Sequence, residues 1–220
     1  MNDTSLSQHT HVKAAKPQLF FKRLFDILFS LSILTIFFPL FLIITLAIRL
    51  TSKGNAIYGQ MRVGKNGIPF RCYKFRTMYQ NAETKLHEIL ANDPVRKREW
   101  ETTHKLKNDP RITSIGTFLR KSSLDELPQF WNVLKGDLSV VGPRPVVQEE
   151  ITKHFGNKAL KIFSIRPGIT GLWQISGRSD TSYSKRIALD EYYVENRNFL
   201  RDLKIIILTI PSIFSKKGAY

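Results

Sequence analysis

Residues 27–48 form a run of 22 positions without a charged side chain, in which only Ser30, Ser32, Thr35 and Thr45 are polar. A helix needs about 20 apolar residues to cross the hydrocarbon core, so the run has membrane length. It is too long for the apolar part of a signal peptide, and Arg49-Leu50-Thr51-Ser52-Lys53, which follows, offers no small-residue cleavage site. A single spanning anchor is one reading. Two features favour another. Pro39 lies near the middle of the run, where it removes a helical hydrogen bond and predicts a bend. Both flanks are basic, with Lys13, Lys16, Lys22 and Arg23 before the run and Arg49, Lys53, Arg62 and Lys65 after it. Positive residues stay on the cytoplasmic side, so symmetric flanks predict a helix that enters the membrane, bends near Pro39 and returns on the same face. Asp26 is the only acid between Lys22 and Ala82. A carboxylate at the membrane edge calls for a partner, with Lys22, Arg23 and Arg49 as candidates; a helix-start acid is the other reading.

The rest of the chain, out of 220 residues, is long enough to bury a core. Its single cysteine, Cys72, excludes an internal disulfide framework. With 34 Lys and Arg against 18 Asp and Glu the net charge is +16, which points to an anionic partner. The expected division is a polar mobile tail (1–16), a re-entrant membrane helix (17–52) and a catalytic domain (53–220). Strands are predicted at 56–63 and 69–78 around a turn at 64–67, and a helix at 83–101 interrupted at Asp93-Pro94. Further helices are predicted at 128–135, 146–163, 184–196 and 200–214. The last reads either as a core helix or as one lying on the membrane surface. The fold class is α+β: a small helical cytoplasmic domain with a few short strands and interfacial amphipathic helices.

Three stretches could carry chemistry. In Arg120-Lys121-Ser122-Ser123-Leu124-Asp125-Glu126-Leu127-Pro128, two carboxylates stand beside two cations just before a predicted helix. Ser123-x-x-Glu126 also fits a capping box, so capping competes with catalysis there. In Gly142-Pro143-Arg144-Pro145, two prolines stiffen the backbone around an arginine that could hold an anion. Arg166-Pro167-Gly168-Ile169-Thr170-Gly171, with Gly177-Arg178 beyond it, could cradle phosphate through backbone amides or form a hairpin turn. The five histidines are scattered, no zinc-ligand cluster forms, and the P-loop and dinucleotide glycine patterns are absent.

These stretches, together with Lys22-Arg23-Leu24-Phe25-Asp26 and Tyr73-Lys74-Phe75-Arg76-Thr77-Met78, come in the order found in the bacterial sugar transferases, the monotopic polyprenyl-phosphate phosphoglycosyl transferases, and the chain resembles that family from Lys22 to its end. Within it, Lys105-Leu106-Lys107-Asn108-Asp109-Pro110-Arg111-Ile112-Thr113 and the ending Lys217-Gly218-Ala219-Tyr220 resemble the catalytic domain of undecaprenyl-phosphate galactose and glucose phosphotransferases, whose longer chains carry upstream spanning helices. The resemblance implies transfer of a hexose-1-phosphate from a UDP-sugar to undecaprenyl phosphate with release of UMP. UDP-galactose is favoured over UDP-glucose, and Mg2+ is the cofactor. The step would begin exopolysaccharide, capsule or O-antigen synthesis at the cytoplasmic face of the bacterial inner membrane.

By the same resemblance, Asp125 is the nucleophile that carries the phosphosugar, and Glu126 helps to hold Mg2+ or activates the lipid phosphate. Asp125 and Glu126 are thus also the metal ligands. Arg120, Arg144, Lys74 and Arg178 would bind substrate phosphate. The family breaks its re-entrant helix at a Ser-Pro pair; Phe38-Pro39 stands here, so the bend rests on Pro39. Partners are the UDP-sugar, undecaprenyl phosphate, membrane lipid and a second copy in a homodimer, with no nucleic acid. The competing class is a non-catalytic basic membrane module binding anionic lipid or nucleic acid. Phe70-Arg71-Cys72-Tyr73-Lys74-Phe75-Arg76, where aromatics alternate with cations, would be its base-stacking surface.

Overall fold

The computed structural model describes residues 16–103, 106–177 and 182–214. The tail (1–15), Lys105, Arg178 and the C-terminal stretch from 215 lie outside these. Two helices open the fold, α1 (Lys16–Ile36) and α2 (Phe38–Thr51), meeting at a bend of 61°. The break falls at Phe37, with Pro39 in the first turn of α2. Proline loses nothing there, because the first amides of a helix have no intrahelical acceptor. It cannot donate back to Thr35, however, and so cannot extend α1. No single described helix is long and apolar enough to cross a membrane; only the bent pair together passes by length and composition.

Both arms of the pair dock on one body. From α1, the Lys22 ammonium lies 2.9 Å from Asp26 Oδ1 and 3.2 Å from Asp202 Oδ2. Asp26 also accepts the Val140 N–H at 3.1 Å, while the Tyr193 hydroxyl donates to Asp202 at 2.7 Å. Both acids are 2% exposed. Asp26 thus takes Lys22 as its partner, and it lies inside α1 rather than at a helix start. Arg23 turns instead to the carbonyls of Val133 and Leu134, at 2.6 and 2.8 Å. From α2, Ile44 and Ile48 pack against Ala56, Phe75 and Leu119. The Arg76 guanidinium closes this end by donating to Ser52 O and Oγ. The opposite faces leave Phe20, Leu28, Leu31, Phe38, Ile43 and Leu46 exposed.

Next comes an antiparallel hairpin, β1 (Ile57–Val63) and β2 (Pro69–Phe75), with Gln60 opposite Cys72. Its turn uses left-handed backbone at Asn66 and Gly67. Phe70, Cys72 and Phe75 of β2 are buried, and Lys74 and Arg76 are engaged by Glu126 and Ser52. The aromatic and basic alternation there is that of a strand whose Phe70, Cys72 and Phe75 pack on the core. The predicted break at Asp93-Pro94 separates α3 (Ala82–Asn92) from α4 (Pro94–Thr103).

Helices α5 (Ser114–Ser122) and α6 (Gln129–Lys135) lead to β3 (Ser139–Val141). After β3 the expected single helix at 146–163 is three pieces: α7 (Gln148–Glu150), a π-helical turn over Ile151–Phe155, and α8 (Lys158–Ile162). Gly156, at φ +50°, ends the turn and breaks the helix. The chain then forms β4 (Gly168–Thr170), parallel to β3 with Ser139 opposite Gly168, followed by α9 (Leu172–Ile175), α10 (Tyr183–Asn196) and α11 (Phe199–Phe214). The glycine-rich stretch is therefore a parallel strand in close backbone contact. A Cβ on Gly168 would lie 2.0 Å from Gly142 N, so glycine is required for the approach, and the stretch is not a hairpin turn. In α11, Ile205 enters the core beside Tyr193, while Leu200, Ile207 and Ile210 stay exposed, so this helix has both a core face and an open apolar face.

The Lys22 pair gives a first test. Asp26→Ala would leave the Val140 N–H without its acceptor and Lys22 with one carboxylate, and breaking a buried pair costs about 3 kcal/mol. The thermal midpoint in detergent should fall accordingly; an unchanged midpoint would show the docking of α1 to be independent of this pair.

Candidate functional site

The paired carboxylates owe their placement to one residue in a strained conformation. Ser123 has φ +57°, and it both ends α5 and opens a 3-10 turn over Leu124–Glu126. Left-handed backbone at a non-glycine residue costs about 1–3 kcal/mol, a cost found mostly where function holds it in place. The Ser123 side chain makes no capping bond, and α6 begins only after Pro128, so the capping box read from the sequence is not formed. Leu124 and Leu127 turn toward the cluster that holds Ile44 and Ile48 of α2, while Asp125 and Glu126 line a cleft of about 1900 Å³.

Five of the six side chains expected to handle phosphate meet at this cleft: Asp125, Glu126, Lys74, Arg120 and Arg144. Arg178 falls outside the described residues. The Lys74 ammonium lies 2.6 Å from Glu126 Oε1 and 3.7 Å from Asp125 Oδ2. Burial works against its charge, but Glu126 and Asp125 outweigh burial and leave its pKa raised. Burial, then the adjacent Glu126 charge, pushes the Asp125 carboxyl up to about 6 against the pull of Lys74 and Arg120. Asp125 thus remains mostly ionised at neutral pH while being more basic than an exposed aspartate.

The cations are held from behind. Arg120 Nε donates to Thr77 Oγ1 at 2.9 Å, and α5 approaches Thr77 so closely that a Cβ on Gly116 would lie 2.0 Å from the Thr77 carbonyl oxygen. Arg111, bound to Asp109 at 2.6 Å, packs over Trp100 nearby, and the Asp109 charge acts on Arg120. The strand bearing Lys74 is tied to α6 by Asn132, which is fully buried. Its amide accepts the Tyr73 N–H at 2.9 Å and donates to Arg71 O at 2.8 Å, standing in for the edge of a neighbouring strand. Asn132, Thr77 and Arg62, which also lines the cleft, do not stand out in the sequence as site residues. A basic run without acids from Arg49 to Ala82 is the only signal for Arg62; its strand register places it.

The same cleft is apolar elsewhere, lined by Phe29, Ile33 and Phe37 of the bent pair, Phe130 of α6, and Ile206 and Ile210 of α11. Among the described residues no group of three or more His, Cys, Asp or Glu could hold a metal ion by itself. Two adjacent carboxylates are nevertheless hard oxygen donors of the kind that bind Mg2+ together with substrate phosphates.

The chain belongs to the bacterial sugar transferase family, whose model matches residues 17–216. It is 48% identical over 208 residues to an undecaprenyl-phosphate galactose phosphotransferase of Salmonella typhimurium, covering 94% of this chain and 43% of that protein. It is 46% identical over 199 residues to the exopolysaccharide production protein ExoY of Sinorhizobium fredii, covering 90% of this chain and 88% of that one. It is 42% identical over 207 residues to a UDP-glucose:undecaprenyl-phosphate glucose-1-phosphate transferase of Klebsiella pneumoniae, covering 91% of this chain and 41% of the relative. The chain thus spans about two fifths of the galactose and glucose relatives and most of ExoY.

The bracing by Asn132 has a measurable consequence. Asn132→Ala would strand the Tyr73 N–H and the Arg71 carbonyl, at a cost of about 3 kcal/mol. A lowered thermal midpoint is the expected result; a midpoint within a degree of wild type would mean that β2 is held to α6 by apolar packing alone.

Proposed function

We propose that the protein transfers a hexose-1-phosphate from a UDP-sugar to undecaprenyl phosphate at the cytoplasmic face of the bacterial inner membrane, as the first membrane step of an exopolysaccharide, capsule or O-antigen. One observation carries the reading. A single cleft joins a carboxylate flanked by cations to an apolar wall supplied by the bent helix pair, which suits a diphosphate donor and a polyprenyl acceptor in turn. The names of the relatives support this substrate class, and UDP-galactose is the favoured donor, with UDP-glucose next.

In the first half-reaction the Asp125 carboxylate attacks the phosphorus that bears the sugar. A P–O bond to UMP breaks as a P–O bond to Asp125 forms, and UMP departs with the electron pair. In the second, an oxygen of undecaprenyl phosphate attacks the same phosphorus, and Asp125 leaves as a carboxylate. Two steps let one nucleophile serve a water-soluble and a lipid substrate in succession. Arg120 and Arg144 are the guanidinium donors to the phosphates, and Lys74 keeps the two carboxylates from repelling each other. Asp125 and Glu126 would hold Mg2+ jointly with the diphosphate, and the bound ion would neutralise the diphosphate and stabilise leaving UMP.

A re-entrant course for residues 17–52 is supported by the way both arms of the pair return to the same body, through Lys22 and Arg23 at one end and Ile44, Ile48 and Ser52 at the other. A helix crossing the bilayer would part these ends by its thickness.

Two measurements check the proposal. A panel of UDP-sugars with Mg2+ and no lipid should yield one UMP per protein from the true donor, and Asp125→Asn should release none while keeping the wild-type thermal midpoint. Full activity of Asp125→Asn would rule out this nucleophile. For topology, cysteines placed at Gln18 and Lys53 in a Cys72→Ser background should both be labelled by an impermeant reagent from the cytoplasmic side; labelling from opposite sides would establish a spanning helix instead.

A further inference from the structure

Behind Arg144 lies a buried charged pair that the transfer, as described, does not use. Arg186 and Asp190, one turn apart on α10, are 6% and 1% exposed. The guanidinium of Arg186 stands 4.9 Å from the centre of the Trp173 ring, and that of Arg144 stands 4.8 Å from the same ring. Arg186 Nη1 donates to Glu150 at 3.2 Å, and Glu150 also takes the Tyr183 hydroxyl at 3.2 Å and Arg62 at 3.5 Å. Yet Arg186 Nε and Nη2 and both Asp190 oxygens have no hydrogen-bond partner among the described residues. Buried groups of this kind are normally paired, and an unpaired one calls for a reason beyond packing.

The groups acting on Asp190 are the Arg186 guanidinium on its own helix, and the backbone N–H and guanidinium of Arg144 across from it. Burial dominates and pushes the Asp190 carboxyl up to about 7, against the pull of these three. A carboxyl that is harder to ionise folded than unfolded costs stability as the pH rises above its unfolded value of 3.8, in full above about 7. A residue kept at such a cost is better explained by what it does for a neighbour than by what it does for the fold.

We propose that Asp190 and Arg186 are positioning residues, a buried bracket that holds the Arg144 guanidinium against Trp173 and facing the cleft. In its ionised form Asp190 supplies the negative charge that lets two guanidinia share one indole ring. Because it forms no direct salt bridge with Arg144, the N–H groups of Arg144 stay available to a substrate phosphate. The bracket thus orients the cation without neutralising it.

The kinetic test rests on the transferase reading; the binding test does not. In the full chain, Asp190→Asn should lower kcat/KM for UMP release from UDP-galactose roughly tenfold or more. The double variant with Arg144→Ala should be no worse than Arg144→Ala alone, because the bracket acts only through that arginine. Asp190→Asn should also raise the thermal midpoint at pH 8, with the gain shrinking as the pH is lowered to 5, the opposite of what loss of a structural contact would give. Multiplicative losses in the double variant, or unchanged kcat/KM in Asp190→Asn, would overturn the proposal. If wild type releases UMP from no UDP-sugar, the transferase reading fails separately. The same cycle is then read on inorganic pyrophosphate by calorimetry, where weaker binding by Asp190→Asn only when Arg144 is present supports the bracket. Independent effects, or no binding by wild type, refute it.

Discussion

The Lys22 ammonium, held between Asp26 and Asp202, is the point from which the site takes its shape. It joins the first helix to the last, and through the Val140 N–H on Asp26 it fixes both to β3. One residue on, Arg23 satisfies the terminal carbonyls of α6, the helix that follows the carboxylate pair. A helix with so much exposed apolar surface would otherwise have no reason to lie at a set angle to the domain. Two cations and an acid in its first half, Lys22, Arg23 and Asp26, give it one.

From that fixed start the geometry propagates. The break at Phe37 turns α2 back so that Ile44 and Ile48 reach the leucines on either side of Asp125 and Glu126. Apolar packing from α2 and the left-handed turn at Ser123 therefore set the carboxylates together, the leucines packed in the cluster with Ile44 and Ile48 and the acids lining the cleft. Lys74 from the hairpin and Arg120 from α5 offset the repulsion this creates. The electrostatic cost of setting Glu126 beside the buried Asp125 is met by cations that are themselves braced, Arg120 by Thr77 and the strand of Lys74 by Asn132.

Much of this is legible in the amino-acid sequence alone. Aromatic and β-branched content and turn residues mark β1 and β2, Asp93-Pro94 marks the break between α3 and α4, and Pro39 marks the bend, because each depends on neighbours in the chain. Family motifs point to Asp125, Glu126, Lys74, Arg120 and Arg144, which do share a cleft. What stays hidden depends on partners distant in sequence. A serine at φ +57° looks like any N-cap serine, Asn132 looks like any helical asparagine, and Gly168 looks like a turn glycine until Gly142 is seen against it. The three-piece course of 146–163 escapes a reading by periodicity because a helical period survives Gly156. Lys22 can be paired with Asp26 by spacing, but Asp202, far along the chain, cannot.

The most direct measurement is the mass and location of a covalent group. Protein quenched during incubation with the proposed UDP-sugar donor and Mg2+, without lipid, should gain the mass of one hexose phosphate, and peptide mapping should place it on Asp125. Addition of undecaprenyl phosphate before quenching should remove it. A group on any other residue, or UMP formed with no adduct under conditions that preserve acyl phosphates, would contradict the assignment of Asp125 as the attacking group.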